Sequence, residues 1–317
     1  MISKAHKQTN VSLPDVSVNL YKPNNPVEVS VVENKLATLE VSPNIIRHIT
    51  FDVSGTELEG NIRTGQSIGI IPEGYTEQDG KPAKVRLYSV SSPSRGEDGE
   101  GKLISTTVKR VIEEDQDTND LFLGICSNYL SSLKPGDKVK MTGPSGKRFV
   151  LPENSHDFNY VFFATGTGIA PYRGMITDLF ENGFDKQAAL IFGAPYRTDL
   201  LYYDFFQGLS VRNDNFHYLT SISREGTRPD GTKPYVQYQL IDSREVLRPI
   251  LEQQNTLIYI CGIKGMEVGL YQLLAQEGYE GYLRISEDIR DKSPAEWERD
   301  DLKKRVRPSG RTFLEVY

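Results

Sequence analysis

The sequence predicts two domains: an antiparallel β-barrel in the first half, then an α/β domain around a parallel sheet. Three observations carry this. A chain of 317 residues suggests about two units at roughly 150 residues each. Its first half is a series of short β-rich runs broken by Gly, Pro and polar turns. From about Leu151-Pro152 onward, apolar runs alternate with longer helical patterns, the rhythm of strands joined by helical crossovers.

Residues 1–20 are polar and read as a flexible arm, with no apolar core of a signal peptide. The barrel is expected over 21–152, from β-rich runs at 27–32, 35–41, 45–51, 67–71 and 86–90. Turns such as Ile71-Pro72-Glu73-Gly74 and Lys134-Pro135-Gly136-Asp137 separate such runs. The α/β domain is expected over 153–317. Its buried strands are placed at 160–164, 188–192, 216–221 and 256–261, and its helices at 171–181, 237–253 and 264–276.

Composition removes several classes. The formal charge of −6 does not suggest nucleic-acid binding. No apolar run approaches the roughly 20 residues that span a bilayer. Two cysteines without CxxC spacing and four scattered histidines make no metal pattern, and a reducing compartment is the simpler expectation.

Six segments hold candidate chemistry. In Arg86-Leu87-Tyr88-Ser89 an aromatic and a hydroxyl stand side by side. On a strand curving round a flat ring, Tyr88 would stack, Ser89 would bond a ring nitrogen and Arg86 would reach a phosphate. The same residues also describe an ordinary amphipathic strand. Gly124-Ile125-Cys126-Ser127 suits a phosphate at a helix N-terminus, or simply a Ser127 cap. Ala164-Thr165-Gly166-Thr167-Gly168 follows an apolar strand and opens a helix, with Pro171 placed for its first turn. Ser223-Arg224 with Lys233, Tyr235 and Gln237 offers hydroxyl, cations and a ring for an adenosine carrying a 2′-phosphate, or a solvated basic loop. Tyr259-Ile260-Cys261-Gly262 again ends a strand at a small-residue turn, where Cys261 is either at a ligand or a buried small hydrophobe. The sequence closes on Glu315-Val316-Tyr317, a docked aromatic or an idle tail.

In this order and spacing the segments resemble the plant-type ferredoxin–NADP reductase family, particularly its plastid-type branch. The resemblance runs from about Lys22 to Tyr317 and includes Gly65-Gln66-Ser67-Ile68-Gly69 and Thr142-Gly143-Pro144. It implies an FAD-binding barrel, an NADP(H)-binding α/β domain, and exchange of single electrons with a carrier and a hydride with nicotinamide. It implies that Arg86, Tyr88, Ser89, Val108, Lys109, Cys126 and Ser127 hold FAD, with Tyr317 covering the flavin. Lys109, Thr167, Gly168, Ser223, Arg224, Lys233, Tyr235, Gln237 and Gly262 would hold NADP(H). Ser89, Cys261, Glu315 and Tyr317 would be catalytic, Tyr317 as a gate. One departure stands out: Val111-Ile112-Glu113-Glu114-Asp115 lacks the tyrosine that often stacks on the FAD adenine. The implied partner is an acidic ferredoxin or flavodoxin, with Lys81, Lys84 and Arg86, and Lys303, Lys304 and Arg305, as candidate docking cations. A monomer is expected, in a bacterial cytoplasm, or in a plastid had a transit peptide been removed.

Overall fold

The computed structural model describes residues 10–77, 79–114 and 121–317. The barrel half contains β1 (Val27–Leu36), β2 (Ile46–Asp52), β3 (Ser67–Ile71), β4 (Arg86–Ser89) and β5 (Leu103–Lys109). A small hairpin, β6 (Ile112–Glu114) and β7 (Leu121–Leu123), leads to α1 (Ile125–Ser132) and β8 (Lys138–Ser145). The main strands pair antiparallel in the order β4-β3-β8-β1-β2-β5. A bridge between Val90 and Thr106 brings the two edges together and closes the barrel. Val29 and Val31, Ile49 and Phe51, Ile68 and Ile70, and Val139 and Met141 stand two apart on their strands, so each pair points inward to one core. α1 adds Cys126 and Leu130 to that core.

The second half contains β9 (Asn159–Thr165), α2 (Ala170–Glu181), β10 (Ala188–Ala194), α3 (Tyr203–Arg212) and β11 (Phe216–Ile222). It continues with α4 (Gln239–Asp242), α5 (Arg244–Leu251), β12 (Thr256–Gly262), α6 (Met266–Gln276), β13 (Leu283–Ile285) and α7 (Glu287–Arg290). It ends with α8 (Arg299–Arg305), β14 (Val306–Pro308) and β15 (Thr312–Val316). A parallel sheet runs β11-β10-β9-β12-β15. β10 and β12 are buried along their whole length, as strands covered on both faces must be. Val161, Phe163, Ile258 and Ile260 pack on one side of the sheet, and Tyr160, Phe162, Tyr259 and Cys261 on the other. Strand order reverses between β9 and β12, so the loops after these strands diverge and leave a crevice.

Three expectations change. The run 35–41 is no strand of its own: its first two residues end β1 at Leu36, and the Ser42 N–H donates to Leu39 O across a turn. The helix expected over 237–253 breaks at Ser243 into α4 and α5. The arm expected to be flexible is docked over residues 10–20, while residues 1–9 lie outside the described residues. Ser12 Oγ donates to Glu153 (2.9 Å), Ser17 O accepts from Gln66 Nε2 (2.9 Å), and Asn19 N–H donates to Pro144 O (2.8 Å). Val11 packs against the α/β core and Leu20 against the barrel core, so this strap touches both domains.

The domains are further joined by a polar seam. Arg173 of α2 makes a bidentate pair with Glu97 (2.6 and 2.9 Å), and its guanidinium lies over the Tyr202 ring. The Tyr202 hydroxyl sits 2.9 Å from His48 Nδ1 and 2.5 Å from Thr107 Oγ1. Burial, helped by the neighbouring Arg173 charge, pulls His48 down to about 4, so it is neutral at physiological pH. Asp178 of α2 accepts from Ser94 N–H and Oγ and from Thr64 Oγ1.

Candidate active site

A cleft of about 890 Å³ runs between the domains. On the barrel wall, β3 and β4 pair Ser67 with Ser89 and Ile68 with Tyr88. Tyr88, Ser89, Leu87, Lys109 and Ser127 line it. Leu87 is 59% exposed, an apolar side chain left open beside the half-buried Tyr88 ring. Behind that ring stands the Cys126 thiol, pushed up to about 11 by burial. The Cys126 side chain therefore supports Tyr88 from the core. Ser127 Oγ accepts from Val111 N–H (3.2 Å) and donates to Gly124 O (3.0 Å), which fixes the turn into α1. The N–H groups of that helix's first turn have no partner within the helix.

The opposite wall is built at the ends of the parallel strands. Thr165 ends β9 and Gly166 and Thr167 follow it, Ile263 to Met266 follow β12, and Gly193, Ser223, Tyr235 and Gln237 extend the wall. Two glycines are needed for this wall to close. A Cβ at Gly168 would lie 2.2 Å from Cys261 O, and one at Gly262 would lie 2.0 Å from Thr165 Oγ1, with φ at +151°. The two turns thus clasp each other backbone to backbone at the switch point.

β15 lies beside β12, pairing Cys261 with Glu315 and Gly262 with Val316. The last residue is pinned: Tyr317 N–H donates to Gly262 O (3.1 Å), Lys264 N–H donates to Tyr317 O (2.9 Å), and the Tyr317 and Thr167 hydroxyls are 2.5 Å apart. Glu315 is largely buried, and burial pushes its carboxyl up to about 7, against a 3.4 Å hydrogen bond from Ser67 Oγ. Cys261 is fully buried, and burial, then the Glu315 charge, raises its thiol above the ordinary range.

The structure thus gathers Tyr88, Ser89, Lys109, Ser127, Thr167, Ser223, Tyr235, Gln237, Glu315 and Tyr317 into one cleft. It does not bring every expected side chain there. Arg86 is held by Glu77 (3.0 Å) and by Lys84 O (3.1 Å), outside the cleft lining. Val108 points into the barrel core, since its neighbour Lys109 takes the outward face. Gly168 and Gly262 are spent on packing. Cys261 lies beneath the lining rather than in it. Arg224, placed over the Tyr196 ring, and Lys233 are exposed outside the cleft. Sequence reasoning passed over Ser67, Asn44, Asp199, Lys264 and Arg299, which also line it. Asp199 accepts from Asn44 Nδ2 (2.8 Å) across the domain boundary. Among the expected docking cations, Lys81, Arg86, Lys304 and Arg305 are paired with Asp79, Glu77, Asp300 and Asp288. In the segment without the adenine-stacking tyrosine, Asp115 lies outside the described residues.

A flat, partly apolar ligand with an anionic tail fits the barrel wall: an exposed leucine, a half-open ring, a hydroxyl at Ser89 and a helix start at Ser127 succeed one another along it. A barrel and a doubly wound sheet sharing such a cleft define a two-domain dinucleotide oxidoreductase. Residues 162–271 match the oxidoreductase NAD-binding domain family. The chain is 38% identical over 309 residues to the ferredoxin–NADP reductase of Thermosynechococcus vestitus, covering 96% of this chain and 76% of that protein. It is 37% identical over 277 residues to the chloroplastic leaf isozyme 1 of Arabidopsis thaliana, covering 86% and 75%. The chain belongs to the ferredoxin–NADP reductase family. The fold is also that of the Plasmodium falciparum ferredoxin–NADP+ reductase, with a TM-score of 0.69, 24% identity, and coverage of 97% of this chain and 100% of that chain. No described helix is long and apolar enough to cross a membrane.

Proposed function

We propose that this chain is an FAD-dependent oxidoreductase that exchanges single electrons with a ferredoxin or flavodoxin and a hydride with NADP(H). The observation that carries it is the meeting, in one cleft, of a hydroxyl-and-aromatic strand, a buried carboxylate and a glycine clasp at the sheet's switch point. FAD, when bound, supplies both one-electron and hydride chemistry at a single ring. The chain's residues do the positioning. Tyr88 stacks on that ring and Ser89 holds its edge. Ser67, paired with Ser89 across the strands, donates to Glu315, and the Glu315 carboxyl alone of these groups holds a proton near neutral pH. Lys109 and the turns after β9 and β12 take the dinucleotide diphosphate. Ser223, Tyr235 and Gln237 face the adenosine end, with Arg224 and Lys233 close in sequence for its 2′-phosphate. Tyr317 occupies the place a nicotinamide needs and must move aside, which weakens unproductive binding. Cys261 shapes the pocket from below. The chain acts as a monomer, in a bacterial cytoplasm or a plastid.

The test is steady-state oxidation of NADPH against NADH, with ferricyanide and then ferredoxin-coupled cytochrome c as acceptor. Strong preference for NADPH with ferredoxin coupling is the expected result. A flavin-loaded sample without activity overturns the reading.

A further inference from the structure

Arg299 is the first residue of α8 and belongs to none of the six segments that hold candidate chemistry. It nevertheless lines the cleft, where the only other described cations are Lys109 and Lys264. Its guanidinium reaches the turn between β12 and α6: a Cβ at Gly265 would lie 3.6 Å from Arg299 Nη2. Most other cations of the same segment are paired, Lys303 and Arg307 excepted among the described residues. Arg290 pairs with Glu287, Lys292 with Asp301, Lys304 with Asp300, and Arg305 with Asp288 and Asp301. Arg299 has no carboxylate within ion-pair distance among the described residues. It also stands in the first turn of its helix, where the dipole disfavours a cation, beside a capping box formed by Glu298 and Asp301. Arg299 is solvent-exposed, and without an ion-pair partner on the lining of a ligand cleft its guanidinium is free to meet an anion there.

We propose that Arg299 is a binding residue for the diphosphate of NADP(H), closing over it from the α8 side while Lys109 meets it from the barrel. This deepens the NADP(H) reading above and rests on it. The position selects the diphosphate. Arg299 overhangs the turn after β12, at the switch point where a dinucleotide crosses the sheet edge. Ser223 and Tyr235, expected at the 2′-phosphoadenosine, belong to the loops after β11. A planar guanidinium also suits bidentate contact with phosphate oxygens.

The experiment is calorimetric titration of the flavin-loaded protein with NADP+ and, separately, with adenosine 2′-monophosphate, which lacks the diphosphate. Arg299→Ala is expected to weaken NADP+ about tenfold, near 1.4 kcal/mol, and to leave adenosine 2′-monophosphate unchanged. Arg299→Lys should recover part of the loss. Arg290→Ala removes the same charge from α7, outside the cleft, and should leave both ligands unchanged. Equal weakening of both ligands by Arg299→Ala, or the same loss in Arg290→Ala, overturns the assignment in favour of a 2′-phosphate contact or a general field. Unchanged NADP+ affinity in Arg299→Ala overturns it outright. A wild-type protein that binds neither ligand instead overturns the NADP(H) reading beneath it.

Discussion

The two walls of the cleft are made of different material. The barrel wall presents side chains: Tyr88, Ser89 and Lys109 stand on adjacent strands, and their backbones are occupied with the sheet. The sheet wall also carries side chains such as Thr167, Tyr235 and Tyr317, but it closes on backbone: the turns after β9 and β12 meet through Gly168 and Gly262, with no room for a methyl group. A wall of side chains can lose one and keep its shape. A closure on backbone has nothing to lose and fails when something is added.

That contrast can be broken by substitution. Gly168→Ala should have the largest effect, because its Cβ would stand 2.2 Å from a carbonyl oxygen that cannot rotate away. A loss of about 3 kcal/mol in thermal unfolding, with NADP+ binding abolished, is expected. A variant as stable as the parent would show that the clasp is loose. Ser89→Ala on the other wall should leave the melting temperature and NADP+ affinity unchanged while slowing hydride transfer about a hundredfold in stopped-flow absorbance. Equal damage to affinity and rate would mean that Ser89 holds the wall's shape.

Glu315 sharpens the contrast through pH. Its carboxyl is raised from 4.5 to about 7, chiefly by burial. The folded protein therefore holds a proton that the unfolded chain has released. Its contribution is complete below pH 4.5 and is lost as pH rises through about 7. Glu315→Gln should gain up to about 3 kcal/mol on wild type between those limits, and lose the limb near pH 7 from the hydride-transfer profile. Parallel stability curves for the two proteins would place the carboxylate in water instead. Tyr317→Ser follows, with tighter NADP+ binding by roughly tenfold and a weaker preference against NADH. Unchanged affinity in a titration would end the gate. The smallest effect concerns the carrier. Because four of the six candidate docking cations are paired internally, ferredoxin-coupled turnover should fall only a few-fold between about 50 and 200 mM salt. A steep fall would mean that these pairs open toward the carrier.

The division of labour also explains what could be read from the sequence. The fold was legible because each half has its own period: Val29 and Val31 or Ile68 and Ile70 alternate, while the apolar runs of β9 and β12 do not. Tyr88-Ser89 and Gly166-Thr167-Gly168 were legible because their neighbours in sequence are their neighbours in space. Arg173 and Glu97, Asn44 and Asp199, and Arg299 over Gly265 were not, because contacts between distant segments leave no local pattern. Val108, Cys126 and Cys261 differ in another way. Each sits in a motif, yet its side chain turns to the core and serves the site by supporting a neighbour.

The pinning of Tyr317 has a practical consequence for handling the protein. Its main chain bonds Gly262 and Lys264 at the rim of the sheet, so any peptide added after it would leave from inside the cleft. An affinity tag fused there would start within the cleft lining, beside Thr167 and Glu315.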